Sequence, residues 1–188
     1  MAMRATAGHW PAMAACALGL VLAIAGAGPA RADGGGGGGG DSGTGSQTCP
    51  GGYVYDSRTQ QCVQARAGVL PDKALADYAY TLAKAERYAE ALQVLDLMQQ
   101  PNTAEALNYR GYATRKLGKL DEGIGYYLKS VKLDPRYAQV REYLGEAYVQ
   151  KGDLARARKQ LRVIKSLCGT ECEEYEDLAK ALSENKRS

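Results

Sequence analysis

Histidine and tryptophan occur once each in this 188-residue chain, as His9 and Trp10, and phenylalanine does not occur. Both single residues lie in a segment expected to be removed. Met1 to Arg4 is positively charged, residues 12–27 form an uncharged apolar run, and Ala30-Arg31-Ala32 is a small-x-small cleavage signature. Residues 1–32 therefore read as a secretory signal peptide, cut between Ala32 and Asp33. An uncleaved membrane anchor is the alternative, but an apolar run of roughly 15 residues is short against the ~20 a spanning helix needs. Cys16 stands in the middle of that run, which speaks against a lipidated cysteine, since that would end it.

After cleavage no His, Trp or Phe remains. Four Cys and all 13 Tyr do. An imidazole base, a His-bound metal and a haem attachment are excluded. Losing Arg4 and Arg31 from 24 basic residues leaves 22 against 21 acidic ones. So balanced a chain has no electrostatic footprint for nucleic acid or an anionic membrane. No second apolar run approaches spanning length, and a soluble exported protein is expected, periplasmic first and secreted as the alternative.

The four remaining cysteines form two local pairs, Cys49 with Cys62 and Cys168 with Cys172. Three connectivities are open, and local pairing, closing two short loops, is the favoured one. Zinc would need a different spacing, so neither a metal nor any other cofactor is expected. Gly34 to Gly40 begins a flexible linker over 33–48. A phosphate-binding loop would need a strand before it and a helix after it. Within 49–67, Tyr53-Val54-Tyr55 alternates like a strand, Asp56-Ser57 signals a turn and Val63 extends a second strand. The result is a disulfide-closed hairpin too small for a core of its own. It resembles the Cys-Pro-x-Gly-x-Val-x-Asp…Cys-Val microdomains of exported bacterial proteins, and distantly Cys-rich sugar-binding modules. Its plainest role is a structural clip on the linker; envelope anchoring or glycan binding is the alternative.

From Pro71 onward the pattern is helical. Leu75, Tyr78, Ala79 and Leu82 mark one helix. Tyr88, Ala91, Leu92, Leu95 and Met98 mark a second that should run to Gln99-Gln100, ahead of Pro101. Asn102-Thr103-Ala104-Glu105 offers an N-cap. Further helices are expected over 104–117, 120–133, 137–151 and 153–167. A seventh should open at the capping-box pattern Thr170-Glu171-Cys172-Glu173 and run to about Leu182.

Two successive stretches superimpose at a period of 34. Gly111 falls on Gly145, Ala113 on Ala147, Gly118 on Gly152 and Leu120 on Leu154. A fixed period of that length signifies a helix–turn–helix unit stacked on copies of itself, whose product is an exposed groove. These residues, with Tyr126-Tyr127, Leu133-Asp134-Pro135, Ala147-Tyr148 and Ala157, resemble the tetratricopeptide repeat family, as does the weaker Tyr88-Ala89-Glu90-Ala91-Leu92. The resemblance implies an all-α, right-handed α-solenoid of three units (71–103, 104–137, 138–169) with a capping helix over 170–184. Gly111 and Gly145 would lie where the two helices of a unit cross. Gly118 and Gly152 would supply a positive φ at the turn. Arg110, Thr114 and Gly123 depart from the family pattern and suggest a softer central repeat.

The resemblance further implies that the first helix of each unit lines a concave face. That face would display Tyr80 and Lys84 from the first unit, Asn108, Tyr112 and Arg115 from the second, and Glu142 and Glu146 from the third. Such a groove suits a peptide or an inserted helix of another protein. The expected protein is a non-enzymatic adaptor. A thiol-redox role for Cys168 and Cys172 is a further alternative, although the spacing is one residue too long for the thioredoxin type.

Overall fold

The computed structural model describes residues 48–185. The expected signal peptide over 1–32 and all but the last residue of the expected linker lie outside them. The described chain begins with a β-hairpin of β1 (Tyr53–Asp56) and β2 (Gln61–Gln64). Seven helices follow: α1 (Asp72–Lys84), α2 (Tyr88–Leu95), α3 (Ala104–Lys116), α4 (Leu120–Leu133), α5 (Ala138–Gln150), α6 (Leu154–Cys168) and α7 (Glu173–Asn185). None of the described helices is long and apolar enough to cross a membrane.

α1 packs on α2, α3 on α4 and α5 on α6, each pair joined by a tight turn. Every one of those turns needs a left-handed residue. Gly118 and Gly152 supply it with φ of 85° and 79°. In the first unit, which has no glycine there, Glu86 adopts φ 61° instead. A side chain in that region costs about 1–2 kcal/mol. The three left-handed residues also set the register between units: Tyr80, Tyr112 and Glu146 each stand six residues before one.

At Gly111 the helices of the central pair meet as expected. A Cβ there would lie 2.7 Å from the Tyr127 ring and 3.1 Å from the Gly123 carbonyl. The central repeat is closely packed at these positions. Tyr127, fully enclosed, fills the space beside Gly111, and Thr114 is buried. Arg110 pairs with Asp96 at 2.8 Å and lies over the Tyr126 ring. At Gly145 the nearest neighbour is on the capping helix: a Cβ there would strike the Leu178 side chain of α7.

Three local expectations shift. α2 ends at Leu95, because the Gln99 and Gln100 N–H groups donate to the Asp72 carboxylate at 2.8 and 2.7 Å and draw the chain out of the helix. The cap of α3 is Thr103, whose hydroxyl accepts from the Ala106 N–H. The capping box before α7 does not close, since the Thr170 hydroxyl bonds Glu171 instead.

Both cysteine pairs are local, Cys49–Cys62 and Cys168–Cys172. The hairpin is more than a clip. Tyr53 to Asp56 pairs antiparallel with Gln64 to Gln61, and the sheet lies on α1. Cys49 and Val54 are buried in the common core, and the Cys49 N–H donates to the Tyr78 hydroxyl at 2.7 Å. Hydrophobic solenoids need their end units covered. Here the hairpin covers the first end and α7 the last, with Leu178 and Leu182 buried against the third repeat.

Candidate functional site

First helices adjoin one another along the stack: α1 meets α3, α3 meets α5, and α5 meets α7. Their second helices meet only their chain neighbours at comparable closeness among the described residues. The layer α1–α3–α5–α7 is therefore the tighter, inner one, and its free side is the concave face.

Tyrosines run through this layer. Tyr80 stacks on Tyr109 with ring centres 4.7 Å apart, and Tyr112 tilts against Tyr143 at 5.0 Å. The Tyr80 and Tyr143 hydroxyls approach to 3.4 Å. Burial pushes the Tyr109, Tyr127 and Tyr143 phenols far up and raises that of Tyr112. All four stay neutral near pH 7 and keep their hydroxyl protons as donors.

A cleft of about 190 Å³ opens over these rings. Tyr80, Tyr112 and Tyr143 wall it, Lys84 and Lys116 stand on one rim, and Glu142, Glu146, Glu173, Glu174 and Asp177 line the rest with Gln139. Lys84 lies over the Tyr80 ring and Lys116 over that of Tyr112, at 5.9 and 5.5 Å. Of the residues expected on the groove, Tyr80, Lys84, Tyr112, Glu142 and Glu146 converge here.

Two do not. Asn108 is wholly enclosed; its amide donates to the Tyr137 hydroxyl at 3.2 Å and to Gln139 at 3.0 Å, tying the second unit to the third. Arg115 is buried as well. Its guanidinium donates to the Tyr127 hydroxyl at 3.3 Å and pairs with Glu146 at 2.7 Å. Burial opposes its charge, yet Tyr127 and Glu146 hold its pKa above the ordinary value. Both residues are interior ties, not groove surface.

Asn108 Oδ1 is enclosed without a hydrogen-bond partner among the described residues; Glu142 is unpaired too, at the edge of the cleft. Glu142 is only 6% exposed and accepts no hydrogen bond from the described residues. Burial, then the charges of Glu146, Asp177, Glu174 and Glu173, push its carboxyl up to about 8.

Sequence reasoning left out Tyr143, Lys116 and the acidic face of α7. Tyr143 could have been found, because it aligns with Tyr109 at the 34-residue period. The α7 contribution had no such signal, since it depends on α7 stacking beside α5 as a fourth inner helix. A larger cavity, about 540 Å³, lies between the hairpin and α1. Its charged side chains are already satisfied: Asp56 by Arg58, and Lys73 by Asp77 and Glu105. It offers a ligand no unpaired charge.

The profile of the tetratricopeptide repeat family matches residues 79–136 and 110–168. The TPR repeat-containing thioredoxin TTL4 of Arabidopsis thaliana is 32% identical over 78 residues, which are 40% of this chain but span only 11% of that protein. Among solved structures, the type III secretion translocator chaperone SycD of Yersinia enterocolitica has a TM-score of 0.52 at 19% identity, over 61% of this chain and 83% of its own. The first TPR domain of human RPAP3 has a TM-score of 0.51 at 19% identity, over 62% and 96% respectively. These two likenesses speak to the fold alone. With paired helices turning at Glu86, Gly118 and Gly152, and a profile match reaching from residue 79 to residue 168, the chain belongs to the tetratricopeptide repeat family.

Proposed function

We propose that this chain is a non-enzymatic adaptor that holds a segment of another protein along its concave face. One observation carries the reading: tyrosine, lysine and carboxylate side chains from all four inner helices converge on a single cleft. Its polar, charged lining offers hydrogen bonds and ion pairs that would fix the register of a bound segment, as in peptide recognition by a groove. Family membership supports a protein ligand. So does the fold shared with SycD, itself a secretion translocator chaperone. With residues 1–32 as a secretory signal, the partner would be met outside the cytoplasm, in the periplasm of a Gram-negative cell.

Affinity capture from envelope extract tests this. Two charge-reversal variants leave the core untouched, Lys84→Glu/Lys116→Glu on the concave rim and Lys129→Glu/Arg158→Glu on the outer helices. The rim variant is expected to lose the proteins that wild type recovers, and the outer variant to keep them. Equal recovery by all three would contradict the proposal.

A further inference from the structure

Glu142 has no use in the stack. Buried carboxylates are ordinarily paired or hydrogen-bonded, since an isolated one is costly. Glu142 has neither kind of partner among the described residues, although it borders a cleft open to solvent. Four more carboxylates face it: Glu146 from its own helix, and Glu173, Glu174 and Asp177 from α7. Arg115 answers only Glu146. No ion pair joins Lys84 or Lys116 to these groups among the described residues; both lie instead over tyrosine rings on the far rim. Positive charge is what this side of the cleft is missing.

Size and walls narrow the choice. About 190 Å³ is below the roughly 300–1,000 Å³ of sites for cofactors and drug-sized ligands. It suits one long side chain. Its surface is almost wholly polar, so it suits the charged, hydrogen-bonding end of that side chain.

We propose that the cleft seats the charged end of an arginine or lysine side chain of the partner protein, paired with Glu142. This rests on the reading of the concave face as the protein-binding surface. The titration of Glu142 fits it. Six charged groups share the cleft with this carboxyl: Glu146 on α5, Glu173, Glu174 and Asp177 on α7, and the lysines Lys84 of α1 and Lys116 of α3. With its carboxyl pushed up to about 8, the empty site holds a proton at neutral pH. An arriving cation displaces that proton to solvent, so Glu142 is neutral when the site is vacant and ionised when it is filled.

Twelve-residue peptides displayed on phage and selected on the full chain at pH 8 are the probe. Selected peptides should share one arginine or lysine. Replacing it by norleucine in the synthetic peptide, or introducing Glu142→Gln, should weaken binding roughly tenfold or more, as when one member of a buried charge pair is removed. Binding to wild type should release a proton near pH 7, seen as a buffer-dependent heat, and Glu142→Gln should abolish that release. A melting curve confirms that the variant is folded. Peptides without a shared basic residue, bound equally by wild type and Glu142→Gln but lost with Lys84→Glu/Lys116→Glu, would overturn the cation seat and leave the concave face as the binding surface. Peptides insensitive to both variants would overturn the two readings together.

Discussion

The two ends of the stack are closed by different means. At the first end a disulfide-linked hairpin buries Cys49 and Val54, and the Cys49 N–H donates to the Tyr78 hydroxyl. Charges around that seam are paired. At the last end a helix stacks beside α5, drives Leu178 into the space left by Gly145, and turns Glu173, Glu174 and Asp177 toward the cleft. One cap satisfies what it buries. The other leaves a buried carboxyl without a partner and surrounds it with like charge. An unpaired carboxyl beside like charge is where a bound cation would be accommodated, which is why the proposed cation seat is put at the C-terminal cap.

Breaking the caps one at a time sharpens the contrast. Leu178→Ala should have the largest effect, about 2–5 kcal/mol, because it deletes a fully buried side chain and leaves a cavity against the Gly145 backbone. Denaturant unfolding measures it, and α7 should become the first helix to exchange its amide protons. Glu142→Gln should act in the opposite sense. The folded state of wild type holds the Glu142 proton up to about pH 8 while the unfolded chain releases it near 4.5, so this group's contribution to stability declines as pH rises between those values. The variant should match wild type near pH 4 and exceed it by a margin that grows to a few kcal/mol by pH 8–9, each unit of displacement being worth about 1.4 kcal/mol. Melting temperatures of both proteins across that range give the answer. Tyr78→Phe, at the satisfied end, should have the smallest effect, about 1–3 kcal/mol for leaving the Cys49 N–H enclosed without an acceptor. It should leave peptide binding unchanged.

Periodicity made most of the scaffold legible. A repeat of 34 located the helices, and Gly118 and Gly152 located the turns. From those turns the equivalence of Tyr80, Tyr112 and Glu146 follows. What a single unit cannot reveal is which neighbour covers each position. Asn108 and Arg115 look like groove residues because polar side chains on a first helix ordinarily face solvent. Here Tyr137, the last residue of the same unit, and Gln139 of the next enclose one, and Tyr127 and Glu146 enclose the other. The docking of the hairpin on α1 was illegible for the same reason. Cys49 and Val54 become core only when Tyr78 and its neighbours are beside them. Glu142 could be assigned to the concave face from sequence, but its burial depends on α7, whose placement lies beyond the repeat pattern.

The central claim, that the partner lies on the layer α1–α3–α5–α7, is tested most directly by site-specific photocrosslinking. A benzophenone amino acid is placed in turn at Lys84, Lys116 and Glu173 on the inner face, and at Lys129 and Arg158 on the outer helices, in the presence of the captured partner. Adducts from the three inner positions and none from the outer two are predicted. Adducts from Lys129 and Arg158 with none from the inner positions would contradict the account.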